Sequence, residues 1–225
     1  MRKVFSIALL LALSVAVLAQ KDVTKFLGIP VDGTKWEMKQ KLINKGFTYN
    51  RRDDVFEGEF NGSDVKVAIV TNNNKVWRIL VTDATPSREG DIRIRFNNLC
   101  RQFSKNGKYL TLNADGYYIS EDEDISYEIS VNNKRYEASY AQVDSAAIRK
   151  QLKEKLLKKY TQEQLDNPTE QEQTEIELLK YEEVLTVLDA IQNKKVWFMI
   201  QEYYGKYYIA IFYDNGFNKA DGEDL

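Results

Sequence analysis

Residues 55–83, VFEGEFNGSDVKVAIVTNNNKVWRILVTD, decide the fold class. Three β-rich runs, Val55 to Phe60, Val65 to Thr71 and Lys75 to Asp83, are parted by Asn61-Gly62-Ser63 and Asn72-Asn73-Asn74. These residue types tolerate positive φ and close hairpins, so the stretch reads as a three-stranded antiparallel meander. Val65, Val67 and Ile69 alternate with Lys66 and Ala68. That alternation gives the sheet one buried face and one wetter face.

A helix is expected on each side of the meander. Upstream, the extended segment Phe26 to Thr34 leads into a helix opened by a capping box between Thr34 and Glu37 and stopped at Gly46, with Met38, Leu42, Trp36 and Ile43 on its buried side. Downstream, Ser87 is placed to cap a helix on which Ile92, Phe96, Leu99, Cys100 and Phe103 form one apolar stripe, making Cys100 a core thiol.

The second half repeats the theme less regularly. Tyr109 to Leu112, Tyr117 to Ser120, Ile125 to Val131 and Lys134 to Gln142 read as strands, the last two joined through Asn132-Asn133. Lys195 to Glu202 and Lys206 to Tyr213 follow, hinged at Tyr204-Gly205. Between them lies a helical pair of opposite charge. Arg149 to Lys159 holds six basic residues and one acidic, while Thr161 to Glu183 holds eight acidic and one basic, so an antiparallel hairpin would bring the charges together. Ile148, Leu152, Leu156 and Tyr160 stripe the first helix; Ile176, Leu179, Val184, Leu188 and Ile191 stripe the second, which Thr169 and Glu172 open with a second capping box.

The pattern predicts an α+β fold: an antiparallel sheet of meanders with helices packed largely on one face, an internal repeat of a helix-plus-meander unit, and an inserted helical hairpin. The expected divisions are 1–19 as a signal peptide, 20–106 as the first unit, 107–213 as the second unit with the hairpin at 145–193, and 214–225 as a C-terminal tail. The signal reading rests on Arg2 and Lys3, the apolar run Val4 to Val17, and the cleavage positions Val17-Leu18-Ala19. It implies a periplasmic or secreted product without stable transmembrane anchoring. Gln20 follows Ala19 where an acylated lipoprotein has cysteine, and the single Cys leaves no internal disulfide.

Composition excludes several function classes. The chain of 225 residues has 32 basic and 34 acidic side chains, a net charge of −2, which provides no field to collect nucleic acid. With no His, the Ser-His-Asp and Cys-His arrangements are impossible. No glycine-rich loop has the spacing of a nucleotide cradle. No cofactor, metal or catalytic residue is therefore expected.

Other polar motifs have ordinary readings. Glu57 and Glu59 share one face of a short strand, and Glu121-Asp122-Glu123-Asp124 reads as a solvated turn or a weak calcium site. Asn113-Ala114-Asp115-Gly116 and Asp214-Asn215-Gly216 are turn chemistry, as is the sequon Asn61-Gly62-Ser63. Asp144-Ser145-Ala146 matches a three-residue O-glycosylation motif of exported proteins, and Ser145 is equally placed to cap the next helix.

The unusual feature is aromatic: 14 Tyr, 10 Phe and 3 Trp, with Tyr203, Tyr204 and Tyr207 clustered beside Trp197 in the closing hairpin. Tyr and Trp combine large contact area with a polar tip. Trp197, Tyr203, Tyr204 and Tyr207 are accordingly the candidate binding residues of an exported, non-catalytic protein that engages another protein. The alternatives are a glycan-binding protein or carboxylate-based glycosidase, and an envelope structural protein.

Lys25 to Thr34 (KFLGIPVDGT), Tyr213 to Gly216 and Asp221 to Leu225 resemble segments of uncharacterised secreted proteins of gut Bacteroidetes-type bacteria, a group with no activity to carry over. More loosely, a helix after Gly28-Ile29-Pro30-Val31-Asp32-Gly33-Thr34 followed by a meander, and repeated, is similar to the β-lactamase-inhibitor-protein-like and outer-membrane assembly lipoprotein folds. That likeness implies a binding module and transfers no site residues. The chain departs from those groups in lacking an acylated Cys and disulfide-forming pairs.

Overall fold

The structure, a computed structural model, describes residues 21–220. The signal-peptide reading of 1–19 and the last five residues lie outside them. The described chain opens on a short hairpin of β1 (Lys25–Phe26) and β2 (Ile29–Pro30), turned by Leu27 and Gly28 at positive φ. Helix α1 (Lys35–Asn44) follows. Its capping box is formed: the Thr34 hydroxyl accepts from the Glu37 amide at 3.3 Å and the Glu37 carboxylate accepts from the Thr34 amide at 2.8 Å. Only Met38 and Leu42 are buried; Trp36 and Ile43 face solvent, contrary to expectation. Two residues of helix rotate Trp36 about 200° from Met38, onto the far side.

Eight strands make the main sheet: β3 (Thr48–Asn50), β4 (Val55–Phe60), β5 (Ser63–Asn72), β6 (Lys75–Asp83), β7 (Tyr109–Thr111), β8 (Glu137–Gln142), β9 (Lys195–Tyr203) and β10 (Lys206–Asp214). Their order is β3-β4-β5-β6-β10-β9-β8-β7 and every pairing is antiparallel. Each half of the chain contributes four strands, and the last strand of each half meets the other at the centre, β6 against β10.

Helix α2 (Glu89–Lys105) lies across one face and buries the expected stripe of Ile92, Phe96, Leu99, Cys100 and Phe103. These pack with Val67, Ile79, Val81, Phe198, Ile209 and Ile211 in one core. Phe96 and Phe103 stand 5.1 and 5.5 Å from the Phe198 ring. Arg95 on α2 clamps Asp83 at the end of β6, and the Ile209 amide donates to the same carboxylate at 3.0 Å. Ser87 is not the cap. Arg88 holds that position without a side-chain bond, and Ser87 instead exchanges two backbone hydrogen bonds with Tyr207, at 2.7 and 2.9 Å.

Two expected strands are absent. Residues 125–131 form a short helix, α3 (Ile125–Ser130), because the Asp124 carboxylate accepts from the Tyr127 amide at 2.8 Å and starts a helical turn. Residues 117–120 belong to no strand. The Asn97 side chain takes the place of a strand partner, donating to the Ile119 carbonyl at 2.8 Å and accepting its amide at 2.9 Å.

The insertion is α4 (Ser145–Lys159), a short α5 (Gln162–Asp166) and α6 (Glu170–Asn193). Asp144, rather than Ser145, caps α4 by accepting from the Ala147 amide at 2.9 Å. Lys155 meets Glu182 at 3.4 Å and Lys159 meets Glu175 at 2.5 Å, as an antiparallel pair requires. The C-terminal part of α6 sets Val187, Ala190 and Ile191 against Leu110, Ala141, Val143 and Ile148, on the sheet face opposite α2 and at its β7/β8 end. Residues 215–218, expected within a tail, pack beside the C-terminal end of α6 and against β6. Asn215 is fully buried and donates to the Val31 carbonyl at 2.8 Å, and Asn218 donates to Asp32 and Val76 at 2.8 Å each. Among the described residues no helix is long and apolar enough to cross a membrane.

Candidate functional site: the uncovered sheet face

The core claims one side of every central strand, so alternate residues face the other way. On β10 Tyr207, Ile209, Ile211 and Tyr213 enter the core, which sends Tyr208, Ala210, Phe212 and Asp214 to the second face. On β9 that face carries Lys195, Trp197, Met199, Gln201 and Tyr203; on β6 it carries Arg78, Leu80 and Thr82; on β5, Lys66, Ala68 and Val70. The hairpin α4–α6 packs over the β7/β8 end; on the rest of this face Leu80, Trp197 and Phe212 are half-buried, and Met199 and Ala210 are buried at 9% and 3% exposure. Register sets its central row: Ala68 opposite Leu80, Leu80 opposite Phe212, Phe212 opposite Trp197, and Trp197 opposite Ser139.

Trp197 and Phe212 stack with centroids 4.0 Å apart and planes within 12°. Asp214 receives a fork from Arg78, Nε to Oδ1 at 2.6 Å and a terminal nitrogen to Oδ2 at 2.8 Å, and accepts from the Trp197 indole at 2.9 Å. The guanidinium in turn sits 4.1 Å from the Trp77 ring centroid and 4.8 Å from that of Phe212. Charge at the centre is thereby neutralised, and side-chain rotamers are held by stacking and charge-assisted bonds. A rigid, partly apolar surface of this kind loses little entropy on binding.

The candidate residues divide. Trp197 lies at the centre of the open face. Tyr203 shares that face at the end of β9 and is 58% exposed, while Tyr204 occupies the hairpin turn with φ 50° and is 88% exposed. Their rings meet edge to face at 4.7 Å. Tyr207 belongs elsewhere: it is 4% exposed, in the core beneath the sheet. Strand alternation separates it from its neighbours, and Tyr208 takes the surface place assigned to it. Sequence reasoning also missed Phe212 and Asp214, which the β9–β10 hairpin sets beside Trp197, and Leu80 and Arg78, which only the β6–β10 pairing brings there.

Several of the other polar candidates are engaged internally. Glu57 accepts from Asn50 at 2.9 Å. In the acidic loop Glu123 accepts from Lys134 and from Tyr136, holding its carboxyl below the usual range, and Asp124 caps α3. Among the described residues no group of three or more His, Cys, Asp or Glu is placed to hold a metal ion. Burial pushes the Cys100 thiol up to about 12, so it stays protonated. A cleft of about 510 Å³ opens between β1, β7 and the C-terminal end of α6, walled by Lys25, Lys108, Lys194, Tyr109 and Gln142. Gln142 spends its amide on the Lys25 backbone and Lys194 pairs with Asp22 at 2.5 Å, so most of those walls are already satisfied.

No family model, curated protein or solved structure matches the chain.

Proposed function

We propose that this is an exported, non-catalytic binding protein that engages another envelope or secreted protein through the open face of its sheet. The observation that carries the reading is the row Leu80, Phe212 and Trp197, half-buried side by side between α4–α6 on one side and the polar margin of Lys66, Glu57 and Thr82 on the other. Aromatic and aliphatic anchors ringed by polar side chains are the usual composition of a protein-binding centre. Tyr203 and Tyr208 extend the surface toward the hairpin tip. Export rests on the residue pattern at 1–19.

A glycan platform is the weaker reading, because sugar stacking needs a free aromatic face. Trp197 and Phe212 spend theirs on each other, and Arg78 sits over Trp77. The test is affinity capture from the envelope fraction of the source cells with residues 21–225, comparing wild type with Leu80→Glu. A single saturable protein captured by the wild type and lost in Leu80→Glu, with circular dichroism unchanged, supports the proposal. Equal capture by both refutes the assigned face.

A further inference from the structure

Helix α6 is apolar on two opposite sides. One side, with Ile176, Leu179, Val187 and Ala190, packs against α4 and the sheet. The other bears Leu178, Tyr181, Leu185 and Leu188, spaced three and four apart, with Val184 beside them; all five are between 46% and 61% exposed. At about 100° per residue this second stripe lies diametrically opposite the first. An exposed helix ordinarily turns charge to solvent there. Alternating spacings of three and four are those by which one helix receives the knobs of another.

Charge selects the occupant. α6 has seven carboxylates and a single Lys. Glu175 and Glu182 are paired with Lys159 and Lys155 of α4, and Glu172 serves the cap. Glu177 and Asp189, on the two margins of the exposed stripe, accept only from the neutral amides of Gln173 and Asn193. A second copy of the same face would bring acidic margin against acidic margin, which opposes self-pairing. The basic helix α4 has the charge but only Leu157 exposed among its larger apolar residues, so it lacks a matching stripe.

We propose that α6 is a second docking surface, which receives an amphipathic helix of a partner protein whose apolar seam is flanked by Lys or Arg. The site is separate from the open sheet face and stands or falls without it. The partner helix would lay its leucine-like knobs between Leu178, Tyr181, Leu185 and Leu188 and its cations against Glu177 and Asp189.

Two labelled synthetic three-heptad peptides test it by fluorescence anisotropy against residues 21–225. Both have leucine at the first and fourth heptad positions; one has Lys at the fifth and seventh, the other Glu. The Lys peptide is expected to bind at least about tenfold more tightly than the Glu peptide. Leu185→Gln with Leu188→Gln, which keeps charge and helix propensity, is expected to weaken the Lys peptide by at least about tenfold. Glu177→Lys with Asp189→Lys is expected to reverse the preference. Undiminished binding to the Gln variant would reduce the effect to general charge attraction and overturn the proposal. So would equal binding of both peptides, or a dimer by light scattering that the Gln variant dissolves.

Discussion

Removing the Asp214 carboxylate is the most informative single perturbation of the open face. In Asp214→Ala, Arg78 loses both arms of its fork and the Trp197 indole loses its acceptor at 2.9 Å. Hydrogen bonds to charged groups contribute about 1.5–3 kcal/mol each, and breaking a fully buried pair costs about 3–5 kcal/mol. Here the side chains are 15% and 21% exposed, so Arg78 regains water and part of the loss is screened. A net cost of about 2–3 kcal/mol follows, equivalent to a melting point lower by about 5–10 °C for a domain of this size. Urea unfolding of residues 21–225, followed by tryptophan fluorescence, measures it. The Arg78→Ala, Asp214→Ala double-mutant cycle should show coupling of at least about 1 kcal/mol. A cost under about 0.5 kcal/mol, or strict additivity, would refute the claim that this fork organises the surface.

Three further outcomes are expected. Tyr207→Ala should destabilise by about 3 kcal/mol or more, while Tyr204→Ala should stay within about 0.5 kcal/mol in the same urea experiment, since one ring is in the core and the other in solvent. Cys100 should resist an aromatic disulfide reagent at pH 8 in the native state and react stoichiometrically in denaturant, because burial raises its thiol to about 12. Glu123 has its folded carboxyl below the ordinary value of 4.5, through Lys134 first and then Tyr136. The unfolded chain therefore takes up the proton first as pH falls. The contribution is complete above about pH 4.5 and drains away as pH drops toward the lower folded value, so Glu123→Gln should flatten the slope of stability against pH below 4.5.

Much of the fold is legible in the sequence because local and tertiary preferences agree there. The meander of β4, β5 and β6 carries alternation and turn residues together, and Asn61, Asn73 and Asn74 do adopt positive φ. The capping boxes at Thr34 and Thr169 were readable for the same reason. Residues 125–130 misled because Ile125, Tyr127 and Ile129 alternate like a strand, while one carboxylate at Asp124 supplies a helix start. Residues 117–120 look like a strand and are paired, but with the Asn97 side chain, which no periodicity reveals. The site was half legible. Trp197 and the exposed pair Tyr203 and Tyr204 stand out by composition, whereas Leu80 and Arg78 join them through a pairing of strands more than a hundred residues apart.

The central claim, that recognition happens on the open sheet face, is most directly tested by site-specific photo-crosslinking in the source cells. A benzophenone side chain is placed at Tyr208 or Tyr203 on that face, and at Lys39 on α1 as a comparison. One protein adduct is expected from Tyr208 and Tyr203 and none from Lys39. Adducts from Lys39 alone, or the same adduct from all three positions, would contradict it.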